Sequence, residues 1–92
     1  MASEIRASHI LVMNETHCKE LIAKIKSGER SFEDIARECS KCPSGQKGGD
    51  LGFFEKGRMV PQFDNAVFKL NVGEMSGPVK TQFGYHIIKR TA

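Results

Sequence analysis

The sequence predicts an α+β domain built on a small, mostly antiparallel sheet. Three observations lead there. Strand-like apolar runs stand at both ends of the chain, segments with helical periodicity cluster behind the first of them, and the last two strands are joined by a short turn. Ninety-two residues suffice for one modest core but not for two lobes with a cleft between them, so a single domain over residues 1–92 is expected.

Ile5 to Val12, rich in β-branched and aliphatic residues, reads as the first strand. Asn14 offers an N-cap, and Cys18, Leu21, Ile22 and Ile25 then recur at the spacing of one helical face until Gly28 ends the pattern. A second helix follows at once. Ser31 with Asp34 makes a capping-box-like start, and Phe32, Ile35, Ala36 and Cys39 repeat the spacing.

From Ser40 to Asp50 the periodicity disappears and Pro43, Gly45, Gly48 and Gly49 arrive, which predicts a loop long enough to carry function. Leu51 to Phe54 reads as a short strand and Gly57 as a turn. Pro61 suits the first position of a third helix, with Phe63, Ala66, Val67 and Leu70 on its buried side. Breaks at Val72-Gly73 and Ser76-Gly77-Pro78 precede a short strand from Val79. A turn at Gly84 leads into the last strand, Tyr85 to Arg90. No repeats, low-complexity tracts or linkers interrupt this order.

At 39% hydrophobic and 27% charged residues the composition is that of an ordinary soluble domain. No run approaches the length of a membrane span or of a signal peptide's apolar region, so a cytoplasmic location is expected. The net charge of +3 could suggest nucleic acid, but the cations alternate with acids, as in Lys19-Glu20, Glu29-Arg30 and Glu55-Lys56. A solvated mixed surface without nucleic-acid binding is the expectation. Three cysteines, an odd number, argue against a disulfide framework and for free thiols.

The most informative residues are two histidines, in Ser8-His9-Ile10-Leu11-Val12 and Tyr85-His86-Ile87-Ile88. Strand alternation puts His9 on one face with Leu11 and His86 on one face with Ile88, so each imidazole points into apolar surroundings. Such a ring needs a hydrogen-bond partner or must stay neutral. The first and last strands of a small domain are often neighbours, which makes the two rings candidates for each other's partner. One would then donate and one accept, so at least one is neutral. A satisfied structural pair is the plain alternative to a chemical one.

Cys39-Ser40-Lys41-Cys42 is a C-x-x-C. Redox pairs of that kind sit at a helix N-terminus, where the dipole stabilises thiolate, whereas Cys39 falls at a helix C-terminus. Zinc would need two more ligands, and His17-Cys18 offers the only nearby ones, with Cys18 already in an apolar stripe. Metal and dithiol chemistry are therefore not expected; Cys39 reads as core and Cys42 as free to act alone. Leu51, Met59 and Phe63 fit either a core or an adaptable apolar pocket. Gly48-Gly49-Asp50-Leu51-Gly52 lacks the lysine of a phosphate-binding loop, which argues against nucleotides.

Taken together, Ala7-Ser8-His9-Ile10-Leu11-Val12, Ser40-Lys41-Cys42-Pro43-Ser44, Gly48-Gly49-Asp50-Leu51-Gly52, Met59-Val60-Pro61-Gln62-Phe63, Gly73-Glu74 with Ser76-Gly77-Pro78-Val79, and Thr81-Gln82-Phe83-Gly84-Tyr85-His86-Ile87-Ile88 form a recognisable series. The chain resembles the parvulin family of peptidyl-prolyl cis/trans isomerases, and looks most like its small single-domain members. The stretches run in family order over nearly the whole chain, and their joint occurrence is specific where each alone is weak.

The resemblance implies a four-stranded antiparallel sheet surrounded by about four helices, a parvulin/FKBP-like arrangement. It implies a catalytic set of His9, Cys42, Thr81 and His86, and a proline-binding set of Leu51, Met59 and Phe63 with Phe83 at the rim. It further implies a folding helper that acts, without cofactor or metal, on proline-containing peptides and unfolded chains, and that works as a monomer. Phospho-directed relatives carry a basic cluster after the first strand; here that place holds Met13-Asn14-Glu15-Thr16-His17. No preference for phosphoserine or phosphothreonine before proline is expected. A non-catalytic peptide-binding module using the same groove is the competing reading.

Overall fold

The computed structural model describes residues 4–92. Strands β1 (Ile5–Val12), β2 (Asp50–Phe54), β3 (Val79–Thr81) and β4 (Gly84–Arg90) form one antiparallel sheet in the order β2-β1-β4-β3. Helices α1 (Glu15–Lys26), α2 (Phe32–Cys39) and α3 (Pro61–Phe68) surround it, with a 3₁₀ turn at Pro43–Lys47. The first and last strands are indeed neighbours, at the centre of the sheet.

The helix starts follow from their caps. The Asn14 side chain accepts from the His17 N–H and Ser31 Oγ from the Asp34 N–H, each at 3.1 Å, satisfying donors that the first turns leave free. Pro61 opens α3, where its missing N–H costs nothing. Leu70, expected on the buried side of that helix, lies beyond its end yet still packs on the same cluster.

Alternation along β1 divides the core. Ile10 and Val12 join Ile87 and the apolar stripes of α1 and α2 on one face of the sheet. Ile5 and Ala7 join Ile88, Phe54, and Phe63 and Val67 of α3 on the other. His9, two residues from Ala7, belongs to the α3 face.

Two features of the stretch from Ser40 to Phe54 were not legible as local pattern. The expected loop contains the 3₁₀ turn, entered at Pro43 and closed by Gly48 in the left-handed region at φ 73°. In β2, the pairing jumps from Arg6↔Phe53 to Ser8↔Asp50, so β2 carries one extra residue. Gly52, at φ 72°, supplies the bulge. Leu51 and Phe54 are an odd number of residues apart and would face opposite sides of a regular strand. The bulge lets both pack on the α3 face.

Candidate active site

On the α3 face, β1 and β4 bring the two histidines together. His9 lies opposite Ile88 and His86 opposite Leu11, so the rings are diagonal neighbours. Their Nδ1 atoms are 2.9 Å apart, and the ring planes are inclined by 17°. Thr81, across the β3–β4 turn, stands behind His86: its Oγ1 lies 2.7 Å from His86 Nε2 and accepts from the Phe83 N–H at 3.1 Å.

This is a directed chain with two permitted orders. The proton between the rings sits on His86, with Thr81 donating to Nε2, or on His9, with His86 Nε2 donating to Thr81. In both orders His9 Nε2 is left over. It is the one buried side-chain polar atom without a hydrogen-bond partner among the described residues.

Burial disfavours charge on both rings. His9 is 5% exposed and its pKa is lowered to about 4, first by desolvation and then by repulsion from His86. Desolvation lowers that of His86 as well. The Phe63 ring stands nearly perpendicular to both imidazoles, with centroids 5.5 and 5.4 Å away. The pair is a neutral, walled-in polar element.

The Ser40–Gly49 segment is held to β1 at His9 and at Leu11. The His9 N–H donates to the Gly49 carbonyl at 2.9 Å. Two residues on, the Leu11 N–H donates to Ser40 Oγ at 3.1 Å and the Lys41 N–H to the Leu11 carbonyl at 2.8 Å. Ser40 Oγ also accepts from the Cys42 N–H at 3.3 Å. Gly49 runs so close to β1 that a Cβ there would collide with the His9 carbonyl, and its φ of 90° also favours glycine. This clasp fixes Cys42 beside the histidines.

The surface between these elements and α3 is a cleft of about 450 Å³, lined almost wholly by apolar groups. Leu51, Met59 and Phe63 line it, as do His9, His86 and Cys42; Phe83, 52% exposed, stands at its edge. Thr81 does not line the cleft; it acts on His86 from behind. Phe63 resolves the choice between core and pocket as both, being 3% exposed and packed on Phe54 while lining the cleft.

Leu11, Pro43, Val60, Lys41 and Arg58 also line the cleft, and sequence reasoning had not singled them out. Proximity to Cys42 and Met59 was the available signal for the two cations. Cys39 is half-buried against the α1–α2 core and Cys18 fully buried, with its thiol pKa pushed up to about 11 by desolvation and then Glu15. Among the described residues no group of three or more His, Cys, Asp or Glu is placed to hold a metal.

The chain that folds around this neutral histidine pair and apolar cleft is similar to known proteins over nearly its whole length. The family profile described as "Rotamase: PPIC-type PPIASE domain" matches residues 11–92. The chain belongs to the parvulin family of peptidyl-prolyl isomerases. Among solved parvulin-type structures, NmPin, the parvulin of Nitrosopumilus maritimus, superposes with a TM-score of 0.88 at 46% identity, covering 100% of this chain and 99% of that one. The solution structure of TbPIN1 gives a TM-score of 0.93 at 36% identity, with both chains covered completely.

The foldase PrsA of Bacillus subtilis (strain 168) is 54% identical over 99% of this chain, and its crystal structure superposes with a TM-score of 0.93. That match takes in 31% of the PrsA sequence. The chain thus spans about a third of the length of the PrsA relatives it matches. The parvulin fold expected from the sequence is present: among the described residues, a four-stranded antiparallel sheet is surrounded by three α-helices and a 3₁₀ helical turn.

Proposed function

We propose that this parvulin domain accelerates cis/trans isomerisation of X-Pro bonds in unfolded or flexible polypeptides, by gripping the proline ring and twisting the amide without a covalent intermediate. The barrier is about 18–20 kcal/mol because resonance keeps the amide planar. A dry pocket that fits the twisted bond better than either planar form lowers it. The observation that carries the reading is the convergence of Leu51, Met59 and Phe63 with His9, His86 and Cys42 in one cleft.

The division of roles follows from the contacts. Leu51, Met59 and Phe63 hold the ring, and Phe83 closes one edge. His9 and His86 present a neutral polar floor, which Thr81 keeps oriented. Cys42 Sγ accepts from Ser44 Oγ at 3.2 Å, while each imidazole uses Nδ1 on the other and His86 uses Nε2 on Thr81. A cysteine nucleophile needs a base within reach. That none of these bonds joins Cys42 to a histidine supports a polar neighbour rather than a nucleophile.

The same proposal extends to a monomeric protein acting in the cytoplasm, on chains that need not be phosphorylated and without nucleic acid. Three unbridged cysteines support the reducing compartment. Cations paired with acids at Arg6–Asp50, Lys19–Glu15, Arg30–Glu38, Arg37–Asp34 and Lys89–Glu33 support a mixed surface. No described helix is long and apolar enough to cross a membrane.

A protease-free isomerisation assay, following exchange between cis and trans forms of a proline peptide by NMR, tests the reading. Acceleration at catalytic protein concentrations is expected. Peptide binding without acceleration would leave a binding module in its place.

A further inference from the structure

Resting on the isomerase reading, we infer that Lys41 and Arg58 give the cleft a preference for an acidic side chain immediately before the proline. Both line the cleft, both are exposed, and no Asp or Glu lines it with them. Arg6, Lys19, Arg30, Arg37 and Lys89 are engaged in ion pairs; Lys41 and Arg58 are in none among the described residues. An apolar wall next to uncompensated cations focuses a positive potential on whatever enters.

Backbone hydrogen bonds beside both positions anchor the stems of these side chains at the cleft. Lys41 donates its N–H to the Leu11 carbonyl at 2.8 Å and precedes Cys42, which faces the reacting amide. Arg58 follows Gly57, whose N–H donates to the buried Asp64 carboxylate at 3.0 Å, and precedes Met59, which holds the ring. Lys41 adjoins Cys42 and Arg58 adjoins Met59, so the two cations flank the places assigned to the amide and to the proline ring, where the residue preceding proline must also lie. The two come from separate loops, an arrangement suited to a single carboxylate; a phosphate is best held by several converging donors.

The experiment compares kcat/KM for otherwise identical peptides carrying Glu, Gln, Lys or phosphoserine before proline. Glu-Pro is expected to exceed Gln-Pro by about three- to tenfold, the scale of one or two exposed ion pairs, with Lys-Pro below both. The ratio should shrink between about 20 mM and about 0.5 M salt. In the Lys41→Glu, Arg58→Glu double variant the Glu/Gln ratio should invert, and being a ratio it is insensitive to any loss of folded protein.

Equal turnover of Glu-Pro and Gln-Pro, or a preference that survives in the double variant, overturns the inference while leaving the isomerase intact. Phosphoserine turnover far above Glu assigns the rim to phosphate and overturns it too. Failure to accelerate any peptide removes the isomerase reading and this inference with it.

Discussion

His9 and His86 share a hydrogen bond, Nδ1 to Nδ1 at 2.9 Å, although neither is the other's cross-strand partner. The diagonal arrangement leaves Ile88 and Leu11 opposite them and seals the pair beneath Phe63. A proton must lie between the two nitrogens, so charging both rings destroys the bond.

Acid is therefore expected to destabilise the fold through this pair. The pKa of His9 falls from 6.5 to about 4 on folding, so between those values the unfolded chain binds more protons than the native one. The contribution of His9 is fully present above about pH 6.5 and is lost as pH falls towards 4, by about 3 kcal/mol at most. His86 adds in the same direction. Urea unfolding at pH 7 and pH 4.5 measures the loss. A His9→Gln variant should show a shallower slope, and an unchanged slope would refute the assignment.

Cys42→Ser should retain activity within about tenfold of wild type, and Cys42→Asp should retain substantial turnover, because the proposed role asks only for a polar group beside the amide. Obligatory covalent catalysis would instead drop both variants to the uncatalysed rate, a loss of the order of 10³-fold or more. NMR exchange rates distinguish these outcomes directly.

Met59 and Phe63 should separate when each is changed to Ala. Met59 is half-buried on a loop at the edge of the core, so its loss should lower kcat/KM about tenfold with only about 1 kcal/mol lost in stability. Phe63 packs on Phe54 and on both imidazoles, and its truncation should cost about 3–5 kcal/mol as well as activity. Denaturant midpoints measured alongside kinetics check this; equal destabilisation by both changes would mean that Met59 is core as well.

The clasp around His9 should be sensitive at Ser40 and Gly49. Ser40→Ala removes the acceptor for the Leu11 and Cys42 N–H groups and should cost about 1–3 kcal/mol, with kcat falling more than KM rises because Cys42 loses its anchor. Ser40→Thr should restore much of both. Gly49→Ala should be far more damaging, since it forces β1 away from the loop. Wild-type kinetics in Ser40→Ala would show that Cys42 is placed by other means.

Much of this was readable residue by residue. The caps at Asn14 and Ser31, the proline opening α3 and the strands at both ends were expected from local chemistry and agree with the structure. The 3₁₀ turn inside the loop and the extra residue in β2 were not, because one depends on packing beneath Gly45, where a Cβ would lie 2.6 Å from the Ala36 carbonyl, and the other on pairing with β1. Arg58 and Lys41 carry no local signal for a similar reason: an exposed cation is unremarkable until the cleft beside it is known to be lined by no acid.

Local pattern along the chain suffices to tell helix from strand in most segments, to say which face of each strand carries a histidine, and, through the series of matching motifs, to reveal the parvulin resemblance. The diagonal meeting of the rings, the support of His86 by Thr81 from behind the cleft, and the double place of Phe63 in core and cleft emerge only when the strands and α3 are assembled. Alternation is set within a strand, where each Cβ direction follows from its neighbours. Register is set between strands by cooperative pairing of distant residues, and it is register that brings His9 within hydrogen-bond reach of a residue 77 positions away.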